Sequence, residues 1–243
     1  MKYLSSLLIL ILLASCNSLY KATTLNVPLH EEAGDVQIAG AWGVSGGEVQ
    51  LSGAVTDNLY VSANGQFLTK KTKEDSLSKF NSFDLAVGYY KWLNPEKNVK
   101  LDFAIGYGPG NLDYHYLVQT IPMQVRFHVS SFYHRWYIQP SLGFNRRDTD
   151  FAISMRSVVI HHSNFTDYNN KIVKNVSYNP LAYLEPAITY RKGVKNFKLT
   201  AQTGLIWPLT PRHPLQRAVI SGYGSVGVNI SFNVLKKDLK TLD

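Results

Sequence analysis

The sequence has little cysteine, few charged residues and no long apolar run, and each shortage excludes a class of protein. Cys16 is the single cysteine, so the chain can form neither an internal disulfide framework nor a cysteine-based zinc site. Charged residues make up 17% of the chain, which is below the roughly 25% that is typical of soluble domains. The apolar run at residues 4–13 is shorter than the roughly 20 residues that a membrane-spanning helix needs. Tyrosine and glycine are plentiful instead, with 15 and 17 residues, and this composition suits short strands.

The N-terminus has the features of a bacterial export signal. Lys2 precedes the short apolar run, which ends in the tetrapeptide Leu-Ala-Ser-Cys with its cysteine at Cys16. This tetrapeptide resembles the lipobox of bacterial lipoproteins, which implies cleavage before Cys16 and acylation of the cysteine. An ordinary signal peptide with an incidental cysteine is the alternative. We expect a lipoprotein signal peptide at residues 1–15 and a lipidated, periplasmic N-terminal tether at residues 16–34.

Alternation of apolar and polar residues dominates the rest of the chain. It is clearest at residues 225–232, and it recurs at residues 59–67, 99–107 and 197–202. Strict alternation over runs of this length indicates strands, and no segment shows a convincing helical stripe. The sequence therefore predicts an all-β protein.

We expect a closed, antiparallel, up-and-down transmembrane barrel at residues 35–233, followed by a polar C-terminal tail at residues 234–243. About ten strands fit the pattern, although eight to twelve are possible. The expected strands are 35–43, 47–55, 59–68, 80–91, 98–108, 132–144, 150–162, 181–191, 195–207 and 220–232. Pro140 and Pro186 fall inside strands and require a bulge or a break. Residues 121–129 are either an extra strand or an extension of an external hairpin.

Three features favour a membrane barrel over a soluble one. The polar face of the strands carries mostly small polar residues and tyrosine, which suit a narrow lumen. With the N-terminus in the periplasm, all external connections but the first are longer than every internal one, as outer-membrane barrels require. Aromatic residues form two bands, which are expected at the two membrane interfaces. The external band is Trp42, Trp136 and Trp207, and the periplasmic band is Trp92, Phe144 and Phe232.

The lipobox, the stretch Asn26-Val27-Pro28-Leu29 and the strand–loop rhythm together carry a family resemblance. The chain resembles small outer-membrane β-barrel lipoproteins of Bacteroidota-type bacteria. The resemblance implies an outer-membrane location and a barrel fold, and it implies no activity. No acidic run follows Cys16, which favours a lipid tail in the inner leaflet.

Charged residues on the inward face are the first candidate site. They form either a closed network of salt bridges, which we favour because buried charges must be paired, or a selectivity lining. The expected members are Glu48, Asp84, Asp102, Arg135, Arg156, Glu185 and Lys198.

The histidines are weaker candidates. Counting from the turn near residue 147 places His134 opposite Ile160, so that His134 and His162 share a face at the external rim. Two imidazoles could bind Zn²⁺ or Cu²⁺, but no third ligand is evident, and no metal site is predicted.

The case for a catalytic site is equally weak. His161, His162, Ser163 and Asp167 fall near the external rim, but such residues are common in loops. We find no Walker loop or dinucleotide fingerprint, so we expect no cofactor and no enzymatic activity.

The function expected from the sequence is structural or surface-interacting, with the external loops as the working surface. The alternatives are a lipid-anchored soluble periplasmic barrel that binds a ligand, and a narrow channel for small solutes. The net charge of +8 favours contact with outer-membrane lipid, including lipopolysaccharide. The basic residues are dispersed, so no nucleic-acid partner is expected, and the sequence identifies no protein partner.

Overall fold

The computed structural model describes residues 20–71, 77–120, 123–146, 148–167, 179–194, 196–210 and 221–236. These residues form ten strands and no helix. No described segment forms a helix of the length and hydropathy needed to cross a membrane. The strands are β1 Asp35–Gly43, β2 Gly46–Ala54, β3 Leu59–Lys71, β4 Leu77–Trp92, β5 Val99–Thr120, β6 Met123–Asn145, β7 Thr149–Asp167, β8 Leu181–Val194, β9 Phe197–Pro208 and β10 Ser221–Asn233.

The strands close into a single antiparallel barrel in which every strand pairs with its neighbours in sequence. The first and last strands complete the ring through a continuous ladder that runs from the pair Asp35–Asn233 to the pair Gly43–Ser225. The sequence-based prediction of a closed barrel of about ten strands is therefore confirmed.

The two faces of the wall differ in polarity, and apolar side chains cover the outside. On β4, Phe83, Leu85 and Val87 point outward and are about half exposed, whereas Asp84 and Ala86 between them are buried in the lumen. A soluble barrel has the opposite arrangement, because its outer face meets water. An apolar belt around a polar interior is the arrangement of a transmembrane barrel.

Four short connections and both ends of the strand series lie at one end of the barrel. At one end β2, β4, β6 and β8 are joined to the next strand by four short turns, at residues 55–58, 93–98, 146–148 and 195–196. This end also holds the start of β1 and the end of β10, so it corresponds to the periplasmic side. We call the opposite end external.

The long external connection expected at residues 109–131 is mostly strand, and of the two alternatives for residues 121–129 the structure agrees with a hairpin extension. β5 continues to Thr120 and β6 begins at Met123, and the two pair along this whole length. Inward Leu112 and Tyr114 are both buried, so the barrel alternation persists beyond the membrane belt. The extension from 109 to 131 is called the external hairpin below.

Both prolines that interrupt the predicted strands lie where one ladder is broken. Pro140 is in register with Phe103 on β5, but no pair joins it to β7. Pro186 is in register with Met155 on β7, but no pair joins it to β9. Proline cannot donate a backbone hydrogen bond, so each strand tolerates it by losing pairing on one side only.

Aromatic residues occur at both ends of the belt, with one correction to the prediction. Trp42, Trp136 and Trp207 are exposed on the outer face toward the external end. Trp92 had been predicted to lie at the periplasmic lipid interface. It faces inward instead, and its indole nitrogen lies 3.4 Å from the carbonyl oxygen of Glu31.

Inside the barrel, tyrosine rings lie over glycines of a neighbouring strand. Gly106 is in register with Tyr137, and a Cβ atom built on Gly106 would lie 2.2 Å from the ring carbon that bears the Tyr137 hydroxyl. A side chain at position 106 would therefore force the Tyr137 ring out of its place. The same relationship recurs for Gly88 with Tyr60, Gly110 with Tyr133, and Gly204 with Tyr223.

Candidate functional site

The lumen is filled by the chain's own N-terminal segment. Residues 20–30 lie inside the barrel, and Ala22, Leu25 and Val27 are almost completely buried. The prediction of a periplasmic tether is therefore wrong for these residues. We call residues 20–30 the plug segment.

The plug segment begins in the external half of the lumen. The ring of Tyr20 stacks on Tyr183 of β8, with centroids 4.7 Å apart. The guanidinium of Arg135 donates to the Tyr20 hydroxyl at 3.3 Å and forms a buried ion pair with Asp84. Arg135 directly precedes Trp136, so Tyr20 lies near the level of the external aromatic band.

Two charged side chains of the wall hold the next residues. Arg156 donates to the hydroxyl and to the carbonyl oxygen of Thr23, both at 2.9 Å, and pairs with Glu185 at 2.6 Å. The carboxylate of Glu48 accepts hydrogen bonds from the backbone nitrogen of Thr24 at 2.8 and 2.9 Å and from its hydroxyl. Each wall charge is therefore paired or hydrogen-bonded to the plug segment, which offsets the cost of burial.

Amide side chains satisfy the backbone in the middle of the plug segment. The Gln202 side chain accepts from the backbone nitrogen of Leu25 at 2.7 Å and donates to its carbonyl oxygen at 3.0 Å. Gln139 donates to the carbonyl oxygen of Asn26 at 2.7 Å. These bonds imitate a strand ladder, and they are needed because buried backbone groups without partners are costly.

Cationic side chains hold the periplasmic end of the plug segment. Arg191 donates to the carbonyl oxygen of Val27 at 3.0 Å. The ammonium of Lys100 donates to the carbonyl oxygens of Pro28 at 2.8 Å and His30 at 3.2 Å, and it lies 4.6 Å from the centre of the Tyr90 ring. The plug segment therefore runs from the external half of the lumen down to the periplasmic mouth.

The periplasmic mouth contains a polar cavity of about 340 Å³. His30, Asp35 and Lys198 are among its lining residues. Lys236, outside the strands, forms an ion pair with Glu32. This hydrogen-bonded pairing raises the pKa of the Lys236 ammonium.

The structure places all seven predicted lumen charges on the inner face. Asp84 pairs with Arg135, and Arg156 pairs with Glu185. Lys198 is 14% exposed and pairs with Asp150 at 2.7 Å near the periplasmic mouth. The others are buried, and their positions on the strands are Glu48 on β2, Asp84 on β4, Asp102 on β5, Arg135 on β6, Arg156 on β7 and Glu185 on β8.

Sequence reasoning missed three further charges among the described residues of the lumen. It also missed the plug segment itself. Lys100, Asp150 and Arg191 are buried on the inner face, in step with the alternation of their strands. The composition of the plug segment could have indicated that it is buried, because residues 20–30 contain one charge, at Lys21, and are otherwise largely apolar. A solvated linker is usually rich in polar and charged residues.

The histidine prediction is wrong by one residue. His134 lies opposite His161, not Ile160, so its ring faces outward and hydrogen-bonds to the Tyr107 hydroxyl at 2.6 Å. His162 is buried on the inner face, 2.9 Å from the Ser131 hydroxyl. A slip of one residue moves a side chain to the other face of a strand, so His134 and His162 form no shared site.

The proposed rim catalytic group is also not assembled among the described side chains. The Ser163 hydroxyl donates to the carbonyl oxygen of Phe132 at 3.3 Å, and His161 and His162 face opposite sides of β7. The side chain of Asp167 lies outside the described residues.

The external hairpin brings together a set of metal-ligand types that the sequence analysis overlooked. One carboxylate oxygen of Asp113 lies 3.2 Å from Nε2 of His115 and 3.0 Å from Nε2 of His128. His115 lies directly opposite His128 in the β5–β6 ladder, so cross-strand register creates the group. No sequence spacing could have shown it without that register.

Comparison with known proteins shows similarity at the level of the barrel. No protein-family model matches the chain, and no curated protein is significantly similar to it. The outer membrane protease OmpT from Escherichia coli is 8% identical, with a TM-score of 0.48 over 83% of this chain and 94% of OmpT. The translocator domain of the autotransporter NalP from Neisseria meningitidis is 13% identical, with a TM-score of 0.44 over 82% of this chain and 86% of that domain. The resemblance to Bacteroidota-type lipoproteins stays a prediction.

These comparisons correct the prediction that the chain is not an enzyme. OmpT is a protease with a barrel of this general kind, and NalP supplies a translocator domain with a similar barrel. A missing sequence motif gives no ground for excluding catalysis, so the prediction that the chain is not an enzyme no longer stands. The fold is an outer-membrane type of β-barrel, and it leaves the activity open.

Proposed function

We propose that this protein is an outer-membrane lipoprotein whose lumen is sealed by its own plug segment and whose external hairpin serves as a surface for interactions. The observation that carries the proposal is the course of residues 20–30 through the lumen. A solute channel needs a continuous water-filled path. The polar wall instead binds peptide backbone at Thr23, Leu25 and Pro28.

The plug segment also bears on the lipid anchor. Tyr20 lies near the level of the external band, and Cys16 precedes it by four residues. Four residues span at most about 14 Å. An acylated Cys16 would therefore place its acyl chains in the outer leaflet. This proposal replaces the expectation of an inner-leaflet anchor, which rested only on the missing acidic run.

The external hairpin supports the surface role. Tyr107 of β5 is in register with Trp136 of the external band. Asp113 follows Tyr107 by six residues, which is about 20 Å along a strand. The outward side chains of the external hairpin at this height are polar, and they include Asn111 and Asp113 on β5 and Ser130 on β6. Such a surface lies beyond the apolar belt, where headgroups, lipopolysaccharide or a protein partner would meet it.

Cysteine labelling on intact cells tests the topology. A Ser18→Cys variant should react with a membrane-impermeant maleimide without permeabilisation, as should Asn111→Cys on the external hairpin. Glu96→Cys in a periplasmic turn should react only after the outer membrane is permeabilised. Labelling of Ser18→Cys only after permeabilisation, with both controls behaving as stated, would contradict external placement.

Incorporation of labelled palmitate tests the lipid itself. The wild-type chain should carry the label, and a Cys16→Ala variant should carry none. An unlabelled wild-type chain would refute lipidation and would leave the sealed barrel and its external hairpin as the remaining proposal.

A further inference from the structure

The external hairpin carries three side chains with the chemistry and spacing of a metal site. His115 and His128 face each other across β5 and β6, and their rings stack with centroids 3.7 Å apart. Asp113 lies two residues before His115, so its carboxylate is on the same face of the hairpin. One ligand atom from each residue lies within 4.8 Å of the other two.

The separations agree with a common ion. Zn²⁺ binds imidazole nitrogen and carboxylate oxygen at about 2.0–2.2 Å, so two ligands on one ion lie roughly 3.0–3.5 Å apart. The carboxylate oxygen of Asp113 is 3.0 Å and 3.2 Å from the two imidazole nitrogens. The two imidazole rings are stacked, so they would have to rotate apart for both Nε2 lone pairs to meet on one ion.

The ligand types and their exposure narrow the choice of ion. Two of the three ligands are imidazole nitrogens, which suit zinc, copper, nickel and iron but not calcium or magnesium. The side chains of Asp113, His115 and His128 are 42%, 33% and 31% exposed. Coordination positions beyond these three ligands would therefore be open to water or to a donor group from outside.

We propose that Asp113, His115 and His128 form a Zn²⁺ site on the outer face of the external hairpin. The ion joins β5 to β6 beyond the membrane belt, where no lipid supports the two strands. With three protein ligands it keeps at least one position for a water molecule or for an external ligand. The site is independent of the plug segment and of the lipid anchor.

Zinc titration of the full chain in detergent micelles tests the site. One Zn²⁺ ion should bind per chain, and the His115→Ala/His128→Ala double variant should lose at least about 100-fold in affinity, since even outer-shell partners are worth 10–100-fold. Asp113→Asn should also weaken binding. His134→Ala is the matched control, because His134 is an outward histidine on β6 outside the group, and it should bind as the wild type does.

Two further measurements distinguish a specific metal site from adventitious binding of the ion. Co²⁺ should give the strong visible absorption of a tetrahedral nitrogen–oxygen site in the wild type and in His134→Ala, but not in the double variant. Affinity should fall as the pH is lowered, because the ligands must be deprotonated. Each variant should retain its heat-dependent gel shift, which shows a folded barrel. Equal zinc affinity in the folded double variant, or equal competition by Ca²⁺, would overturn the proposal.

Discussion

Arg156 of β7 binds Thr23 of the plug segment through two hydrogen bonds while it forms an ion pair with Glu185 of β8. One guanidinium thus connects two strands of the wall to the segment inside it. All of its partners are buried, so none of these bonds is exchanged for water in the folded state. The relationship makes the wall and the plug segment a single cooperative unit.

Substitution of Arg156 should strongly destabilise the barrel. Arg156→Met leaves the buried Glu185 carboxylate without its partner, which should lower the free energy of unfolding by about 3–5 kcal/mol. Urea titration in detergent micelles, followed by tryptophan fluorescence, measures the loss. Arg146→Met is the matched control, because Arg146 is exposed at a turn, and it should shift stability by less than about 0.5 kcal/mol.

The Arg156–Glu185 coupling can be measured separately. Adding Glu185→Gln to Arg156→Met should recover part of the loss, because the unpaired charge is removed. Additive effects of the two substitutions would contradict the assigned pairing.

Lys100 should fix the periplasmic end of the plug segment. Lys100→Met removes two charge-assisted hydrogen bonds, to Pro28 and His30, and should cost about 3 kcal/mol. Hydrogen exchange should accelerate most in the peptide that contains residues 28–30. Lys91→Met alters an exposed lysine on β4 and should change neither quantity, whereas equal effects of the two variants would refute the assigned role.

Glycine should be required beneath the lumen tyrosines. In Gly106→Ala the new methyl group collides with the Tyr137 ring, and overpacking of this kind costs about 1–3 kcal/mol. Gly40→Ala is the control, because nothing lies within 4 Å of a Cβ atom at Gly40. The temperature at which the unboiled, faster-migrating band is lost on a gel reports the difference. A lower temperature for Gly40→Ala than for Gly106→Ala would contradict the packing.

The plug segment should set the conductance of the barrel. The full chain should give no stable current steps in planar bilayers. A variant in which residues 20–30 are replaced by a glycine–serine sequence of equal length should conduct, because the bonds at Thr23, Leu25 and Pro28 are lost. The variant must first show the heat-dependent gel shift of a closed barrel. Equal conductance of the two proteins would show that the plug segment does not seal the lumen.

The strands could be predicted because alternation is a local signal. The bounds of β1 agree with the prediction at both ends, and those of β2 differ by one residue at each end. The external hairpin was left between two alternatives at residues 121–129, an extra strand or a hairpin extension, although Leu112 and Tyr114 continue the alternation. Turn residues are therefore a poor guide to the end of a strand when its ladder continues beyond the membrane.

The plug segment and the metal ligands could not be predicted in the same way. Residues 20–30 have no repeating pattern because their backbone is satisfied by side chains such as Gln202 and Lys100, which are distant in sequence. The pairing of His115 with His128 depends on the register of β5 and β6. The β6–β7 ladder already differs from the counted register by one residue next to the turn, where Asn145 pairs with Asp150, and that difference is carried along the ladder to His134.

The plug segment also constrains the order in which the molecule is assembled. Its partners include Glu48 on β2 and Gln202 on β9, so its binding site exists only when nearly all of the wall has formed. These two strands lie on opposite sides of the seam between β1 and β10, so residues 20–30 reach their full set of partners only once that seam has closed.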